Sequence, residues 1–487
     1  MGIFRYTHSL LLGRAPLKFH NTLSKKTEDF LLPSPAKTVR MYNCGPTVYG
    51  VQHIGNLSMF VFTDLLRRTL EYNDFAVKQV INITDVGHLS SDADSGEDKM
   101  TLGLQREGMA LTLENMRILA EKYAAIFFSD LQTLNIDTTR IEFPRASDYI
   151  PAQIAMIQTL QEKGYAYVGV DGVYFDTSRF PAYGTLGGIN LEGLKEGARV
   201  ATVSDKRQAA DFALWKFDTA IGWESPWGRG FPGWHIECSA MIRAVLGQQI
   251  DIHTGGIEHI PVHHNNEIAQ SECATGKRPL SRFWLHRAHI QIEGGKIAKS
   301  QGNVVYLSEI IERGFHPLSL RYLFLGAHYR TNANFSWEAL QAAQVAFSKL
   351  VSLRVSLGET VGKVPSEWSL EFLSHINNDL DTPGALAVVW EMTKDKTLSA
   401  PDLLAGLLHF DRVLGLNLAN PDQKARALQP SEVSHIDIPQ DVQELLRRRQ
   451  QARAAKDWIL ADQLRAEITA HGFSLEDTDG TQRVLRR

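Results

Sequence analysis

The chain has 487 residues, of which 44% are hydrophobic, 22% charged and 9% aromatic. That length and balance predict roughly three folded units with sizeable cores, and exclude a small adaptor, a disordered polymer or a disulfide scaffold. No apolar run approaches the ~18 to 20 residues that a membrane helix needs. With 51 basic against 55 acidic residues the net charge is −4, so any surface for a polyanion must be local.

Residues 1 to 27 carry Arg5, Arg14, Lys18, Lys25 and Lys26 and no acidic side chain. The apolar stretch at Leu10 to Leu12 is too short for a signal-peptide core, so the start reads as a ragged extension, with an organellar presequence as the minority alternative. From Thr38, T-V-R-M-Y-N-C reads as a buried strand. Asn56 then caps a helix whose apolar residues recur at three- and four-residue steps, and A-V-K-Q-V-I-N-I, residues 76 to 83, reads as the next strand. This βαβ unit predicts an α/β fold with a parallel sheet and a ligand site beyond the carboxyl ends of its strands, where Cys44, His53 and Thr84 fall.

Residues 141 to 220 turn to short alternating strands around glycines, as in Y-A-Y-V-G-V-D-G-V-Y-F-D, which predicts an inserted subdomain. A helical pattern resumes at Cys238 and stops at Gly247; the strand I-D-I-H then leads to Gly255 and Gly256. After about residue 335 the pattern is helical alone, with a Pro-bearing linker near residues 420 to 440 before a final helical unit.

Three cysteines, Cys44, Cys238 and Cys273, make an odd, low count that argues for a reducing compartment and against disulfides. Cytoplasmic location follows as the expectation. His253, His259, His263 and His264 lie within twelve residues, and His263 and Glu267 are four apart, so on a helix they share a face and can reach one metal ion. A solvated histidine face is the plainer alternative. Two thiolates, one imidazole and one carboxylate would make an acceptable zinc set, but Cys44 and Cys238 are far apart in the chain and spacing leaves the choice open. His53-Ile54-Gly55-Asn56 sits at a strand-to-helix transition suited to an anion, or is simply a capped turn. Lys296 and Lys299, three apart in K-I-A-K-S-Q-G-N, fit a polyphosphate clamp or an ordinary exposed turn.

Together, in this order, M-Y-N-C-G-P-T-V-Y, H-I-G-N, N-I-T-D, D-F-A-L-W-K, G-W-H-I-E-C-S-A-M, H-H-N-N-E-I-A-Q and K-I-A-K-S-Q-G-N resemble the class I aminoacyl-tRNA synthetases and, within them, the cysteinyl-tRNA synthetases. The resemblance runs from about Leu17 to Arg483. It implies a Rossmann-type catalytic core in two halves (18–140 and 221–296) after an extension (1–17) and around the connective insertion (141–220). A signature-loop and stem-contact region (297–345), a helical bundle (346–430) and a small anticodon-binding unit (431–487) complete the implied plan.

The resemblance further implies Cys44, Cys238, His263 and Glu267 as ligands of one zinc ion, and Thr84 and Trp234 as the lining of the cysteine pocket. His53, Gly55, Asn56, Gly255, Gly256, Lys296 and Lys299 would bind ATP with its Mg2+, with His53, Asn56, Lys296 and Lys299 acting on the reacting phosphates. The implied partners are ATP, L-cysteine and tRNA(Cys), and nothing in the sequence demands more than a monomer. Cys273 matches no ligand position and reads as a small buried hydrophobe.

Several positions depart from the family pattern. Asn56 stands for a histidine, Ile297 and Ala298 for Met and Ser, and Glu258 for Asp. An insertion occupies residues 86 to 97, and Arg483 stands where a Trp near the C-terminal G-T is usual. The helix pattern at residues 445 to 456 bears five positive charges and no negative one, a face for RNA or for water. Two other readings are a cysteine ligase acting on a small amine, as in mycothiol synthesis, and a non-catalytic RNA-binding paralogue. The first should lack the C-terminal unit; the second should lack the ligands and signature lysines.

Overall fold

The computed structural model describes residues 15–32, 38–86, 99–188, 206–292, 295–296, 304–428, 438–478 and 481–486. The chain forms two compact units, residues 1–344 with 357–419 and residues 345–356 with 420–487. Of the insertion at residues 86 to 97, only Val86 falls within the described residues.

The first unit is built on five parallel strands: β1 (Thr38–Asn43), β2 (Ala76–Ile81), β3 (Ile141–Glu142), β4 (Ile250–Gly256) and β5 (Ser281–Arg287). They lie in the order β5-β4-β1-β2-β3. Every residue of β4 is buried, as expected for an interior strand of a parallel sheet covered on both faces. The chain leaves β1 towards β2 on one side and later returns as β4 on the other. The carboxyl ends of β1 and β4 therefore diverge around a crevice, the usual ligand position in such sheets.

Helix α1 (Ile54–Tyr72) follows β1 and buries Ile54, Leu57, Phe60, Val61 and Leu65, each contributing about 1.5–3 kcal/mol if fully removed from water. Its cap is His53, three residues before the expected Asn56. The His53 ring Nδ1 accepts from the Asn56 N–H at 3.2 Å, and Asn56 Oδ1 accepts from the His53 N–H at 3.3 Å. Asn56 is thus the third helical residue of a reciprocal capping box, the place a polar side chain takes when it reaches back to the cap.

Between the two halves of the core, strands Ala166–Val168, Gly172–Phe175, Phe212–Phe217 and Gly230–Pro232 pair as one antiparallel sheet in that order. Helix α2 (Trp234–Val245) begins immediately after it, four residues before the predicted start at Cys238. The sequence pattern hides this turn because His235 and Glu237 look solvent-facing yet are buried. Helix α3 (His263–Thr275) connects β4 to β5. Two short strands beyond them, Ile290–Ile292 and Ala333–Phe335, pair in parallel, and the unit also holds an antiparallel pair, Lys18–Asn21 with Lys26–Asp29, and helices Lys99–Arg106, Leu113–Thr133, Ile150–Glu162, Leu307–Glu312, Pro317–Leu325, Ser366–Ile376, Thr382–Met392 and Ala400–Leu414.

The second unit holds α4 (Gln440–Ala454), α5 (Trp458–Ala470) and an antiparallel hairpin, Phe473–Thr478 with Thr481–Arg486. The hairpin replaces the purely helical ending expected from sequence. Phe473 and Leu475, two apart, turn to the same side and join Val442, Leu446 and Ile468 in a small core.

Candidate functional site

The diverging strand ends assemble a cluster from three distant segments. Cys44 follows β1 and is held against β4 by its N–H, which donates to the Thr254 carbonyl at 3.1 Å. Cys238 lies one turn into α2; His263 and Glu267 occupy the first turns of α3. Ligand atoms of these four buried residues all lie within 4.8 Å of one another. The spacing of His263 and Glu267 therefore serves one interior focus, and the solvated-face alternative is overturned: both side chains are at most 1% exposed.

Two of the four, Cys238 and Glu267, are held in the deprotonated form that a divalent cation binds, and the other two would give up a proton to it. A hydrogen bond with Cys44 draws the Cys238 thiol down to about 6, whereas burial pushes the Cys44 thiol up. Burial would raise Glu267, but the charges of His253 and His263 outweigh it and keep the carboxylate ionised. Burial likewise opposes charging of His263, yet Glu267 beside it at 2.9 Å lifts it to about 10, so a metal ion would displace a proton there. His235 Nδ1 lies 2.9 Å from His263 Nδ1, which turns His263 Nε2 towards Glu267. The donor set thus fits a metal ion.

A second set shares Cys44 and Glu267 and replaces the other two by His253 and His264. His264 places Nε2 3.3 Å from Cys44 Sγ and Nδ1 2.8 Å from His286 Nε2, just as His263 engages both its nitrogens with Glu267 and His235. His253 donates to Glu267 Oε2 at 2.8 Å and stacks on Trp284. With an ion on the first set, these two histidines would orient its ligands from behind, the part an outer shell plays around metal sites.

Beside the cluster, Thr84 is buried and its hydroxyl donates to Glu237 Oε2 at 3.0 Å. Trp234, half-buried at the head of α2, lies 4.7 Å from the His263 ring with the Lys99 ammonium 5.1 Å above its indole. Trp234 thus borders the ligand cluster, and Thr84 is linked to it through Glu237, the chain neighbour of Cys238. His53 and the exposed Asn56 stand at the N-terminus of α1. Because Nδ1 accepts the cap hydrogen bond, the neutral ring carries its proton on Nε2. Gly255 leaves no room for a side chain: a Cβ there would meet the His264 and His259 rings at 2.6 and 2.7 Å. At Gly256 it would collide with the Glu258 carboxylate, which also pairs with His289 at 3.6 Å.

Lys296 closes a two-residue strand, Gly295–Lys296; Ile297, Ala298 and Lys299 lie outside the described residues. Cys273 is buried, its thiol pushed up to about 12 by burial. Sequence reasoning missed His235 and His286. The first had a signal, since it lies three residues before Cys238 on the same helix face; the second, at the end of β5, had none.

In the C-terminal unit the five positive charges of residues 445 to 456 do not share one wet face. Arg449 is buried and Arg453 half-buried, whereas Arg447, paired with Glu444 at 2.6 Å, Arg448 and Lys456 are exposed. Trp458 and Ile459, at the head of α5, are 57% and 75% exposed. An exposed aromatic beside cations is a platform on which an unpaired base can stack.

A family of class I tRNA synthetase (C) catalytic domains matches residues 30–345, and a family of cysteinyl-tRNA ligase anticodon-binding domains matches residues 435–484. Cysteine–tRNA ligase 1 of Burkholderia lata is 46% identical over 476 residues, 96% of this chain and 97% of its own. Cysteine–tRNA ligase of Treponema denticola is 39% identical over 95% of this chain and 98% of its own. Among solved structures, methionyl-tRNA synthetase of Mycobacterium tuberculosis with methionyl-adenylate has a TM-score of 0.54 at 13% identity, covering 82% of this chain and 95% of its own. That likeness is one of fold.

Proposed function

Because the chain belongs to the cysteinyl-tRNA synthetase family of class I, we propose that it activates L-cysteine with ATP and transfers the cysteinyl group to the 3′ end of tRNA(Cys). The observation that carries this reading is the convergence of Cys44, Cys238, His263 and Glu267 on one focus, with Trp234 against the His263 ring. Cys44, Cys238, His263 and Glu267 would hold a zinc ion, which would supply a Lewis acid for the substrate thiolate. Serine and alanine offer no comparable bond, so discrimination arises at binding and calls for no separate editing site.

In the first step the cysteine carboxylate attacks the α-phosphate of ATP and pyrophosphate leaves; in the second, the acyl group passes to the terminal ribose. Such chemistry needs positioning and charge neutralisation more than a nucleophilic side chain. His53 Nε2–H and the α1 N-terminus meet phosphate oxygens, with Asn56 adding an amide donor. Lys296 and Lys299 neutralise the polyphosphate together with the Mg2+ that accompanies ATP, and the nucleotide lies at the β4 end, where Gly255 and Gly256 make room for His259, His264 and Glu258. The C-terminal unit reads the anticodon.

The test is cysteine-dependent ATP–pyrophosphate exchange, tRNA charging and metal analysis on the full chain. Exchange, charging and about one zinc per chain are expected. Exchange without charging would favour the small-amine ligase, against which the C-terminal unit already counts. Removing residues 431–487 should spare exchange and impair charging; unimpaired charging would remove the anticodon role.

A further inference from the structure

The far end of α1 holds a second polar concavity that none of this chemistry uses. From the His53 cap to Tyr72 the helix runs about 28 Å, and beyond its last turn lies a cavity of about 360 Å3. Arg67, Arg68, Glu71 and Tyr72 from α1, Asp137 and Arg140, and Arg412 line it. Four guanidiniums thus face two carboxylates, and both carboxylates are engaged. Glu71 is shared between Arg67 at 3.4 Å and Arg140 at 3.0 Å. Asp137 turns away to cap the turn at Thr138–Arg140, accepting from the Thr139 N–H at 3.1 Å and its hydroxyl at 2.6 Å.

A helix carboxyl end attracts cations, which accounts for arginines in its last turns. It does not account for Arg140 and Arg412, which come from other segments. Arg412 is exposed, rests over the Tyr72 ring at 5.5 Å, and has no carboxylate partner among the described residues. Arg67, only 2% exposed, has its terminal nitrogens on Asp64 and Glu71 and lends the cavity its charge. Guanidiniums in this number pair best with a planar or tetrahedral oxyanion.

We propose that this cavity is an oxyanion subsite that takes one phosphate group, held by Arg412 and Arg140 at the mouth with the charge of Arg67 and Arg68 behind them. The phosphate is either that of a free phosphate compound or a backbone phosphate of bound RNA; the chemistry is the same and the sources separate by experiment. The probe is inorganic phosphate titrated into the full chain with the nucleotide site saturated by a non-hydrolysable ATP analogue. The variant is Arg140→Gln with Arg412→Gln, both exposed, so that Arg67 and Arg68 keep their partners inside the fold.

The double variant should bind phosphate at least about tenfold more weakly, with an unchanged melting temperature without phosphate and unchanged cysteine-dependent exchange. If the source is RNA, the slope of log K for tRNA against log salt also falls by about one; if it is a free phosphate compound, that slope stays. Equal phosphate affinity in variant and parent overturns the proposal whatever the slope. Loss of exchange in the parent itself would strike the ligase reading and leave this one standing.

Discussion

Two clusters of buried charge sit at different levels of the same unit. Halfway along α1, Asp64 is enclosed by Arg67, Arg68 and Arg321; beyond the ends of β1 and β4, two thiols, an imidazole and a carboxylate converge. In the first, opposite charges close on one another. Arg321 spends its other donors on the carbonyls of Leu414 at 2.8 Å and Leu134 at 3.0 Å, so it ties α1 to later helices and has little left for a ligand. In the second, the ligand atoms are chiefly lone-pair donors aimed at a common point, which is unfavourable unless a cation or protons hold them. Burial and charge are common to both; the direction in which valences point separates a brace from a binding site.

Breaking the brace should give the largest effect on stability. Asp64→Ala leaves three guanidiniums buried around an apolar side chain, and removal of one partner from such a group costs about 3–5 kcal/mol. Denaturant unfolding should show this, with metal content per folded chain unchanged. An effect under about 1 kcal/mol would mean that the network is not the brace described.

Breaking the binding site should leave the fold and remove the function. Cys238→Ser should lose the metal and raise KM for cysteine by more than about a hundredfold, since disturbing an outer-shell residue alone costs 10–100-fold. His264→Ala should keep the metal with reduced affinity. Retained metal in Cys238→Ser together with loss in His264→Ala would reassign the site to the second donor set.

Acid should distinguish the brace by sign. Burial alone would raise the Asp64 carboxyl, but Arg321, Arg68 and Arg67 hold it at about 2, below the ordinary value near 3.9. Burial also pushes Arg321 down, so the pair lies nearer balance than the carboxyl alone indicates, although a guanidinium stays charged throughout this range. A depressed carboxyl contributes stability that is fully present above about pH 5 and is lost as pH falls from about 4 through 2, here on the order of 2 kcal/mol. Asp64→Asn should flatten that part of the profile, read as melting temperature against pH.

The two clusters were unequally legible. The parallel sheet, α1 and the edge carrying Cys44, His53 and Thr84 follow from local periodicity, because each strand and helix declares its buried face within a few residues. The ligand set needed the family resemblance, since Cys44 and Cys238 meet only through the strand order. The outer histidines were half visible: His235 shares a helix face with Cys238, but His286 arrives from β5 with no local mark. The brace was invisible, because Asp64, Arg67 and Arg68 at helical spacing look like a solvated stripe until Arg321 closes over them. The terminal hairpin was lost for a related reason: its apolar alternation is only two residues deep.

The smallest effect separates structure from chemistry at the head of α1. Asn56 serves the fold through Oδ1, which accepts the His53 N–H, and is proposed to serve the reaction through its amide donor. Asn56→Ala should remove both, costing about 0.5–1 kcal/mol of stability as half of a capping box. Asn56→Asp keeps the acceptor and adds a charge that the helix N-terminus favours, so its melting temperature should equal or exceed the parent's. The same charge repels the incoming phosphates, so exchange should fall in Asn56→Asp while the fold gains. Equal exchange in Asn56→Asp and the parent would confine residue 56 to capping and leave the phosphates to His53 and the lysines.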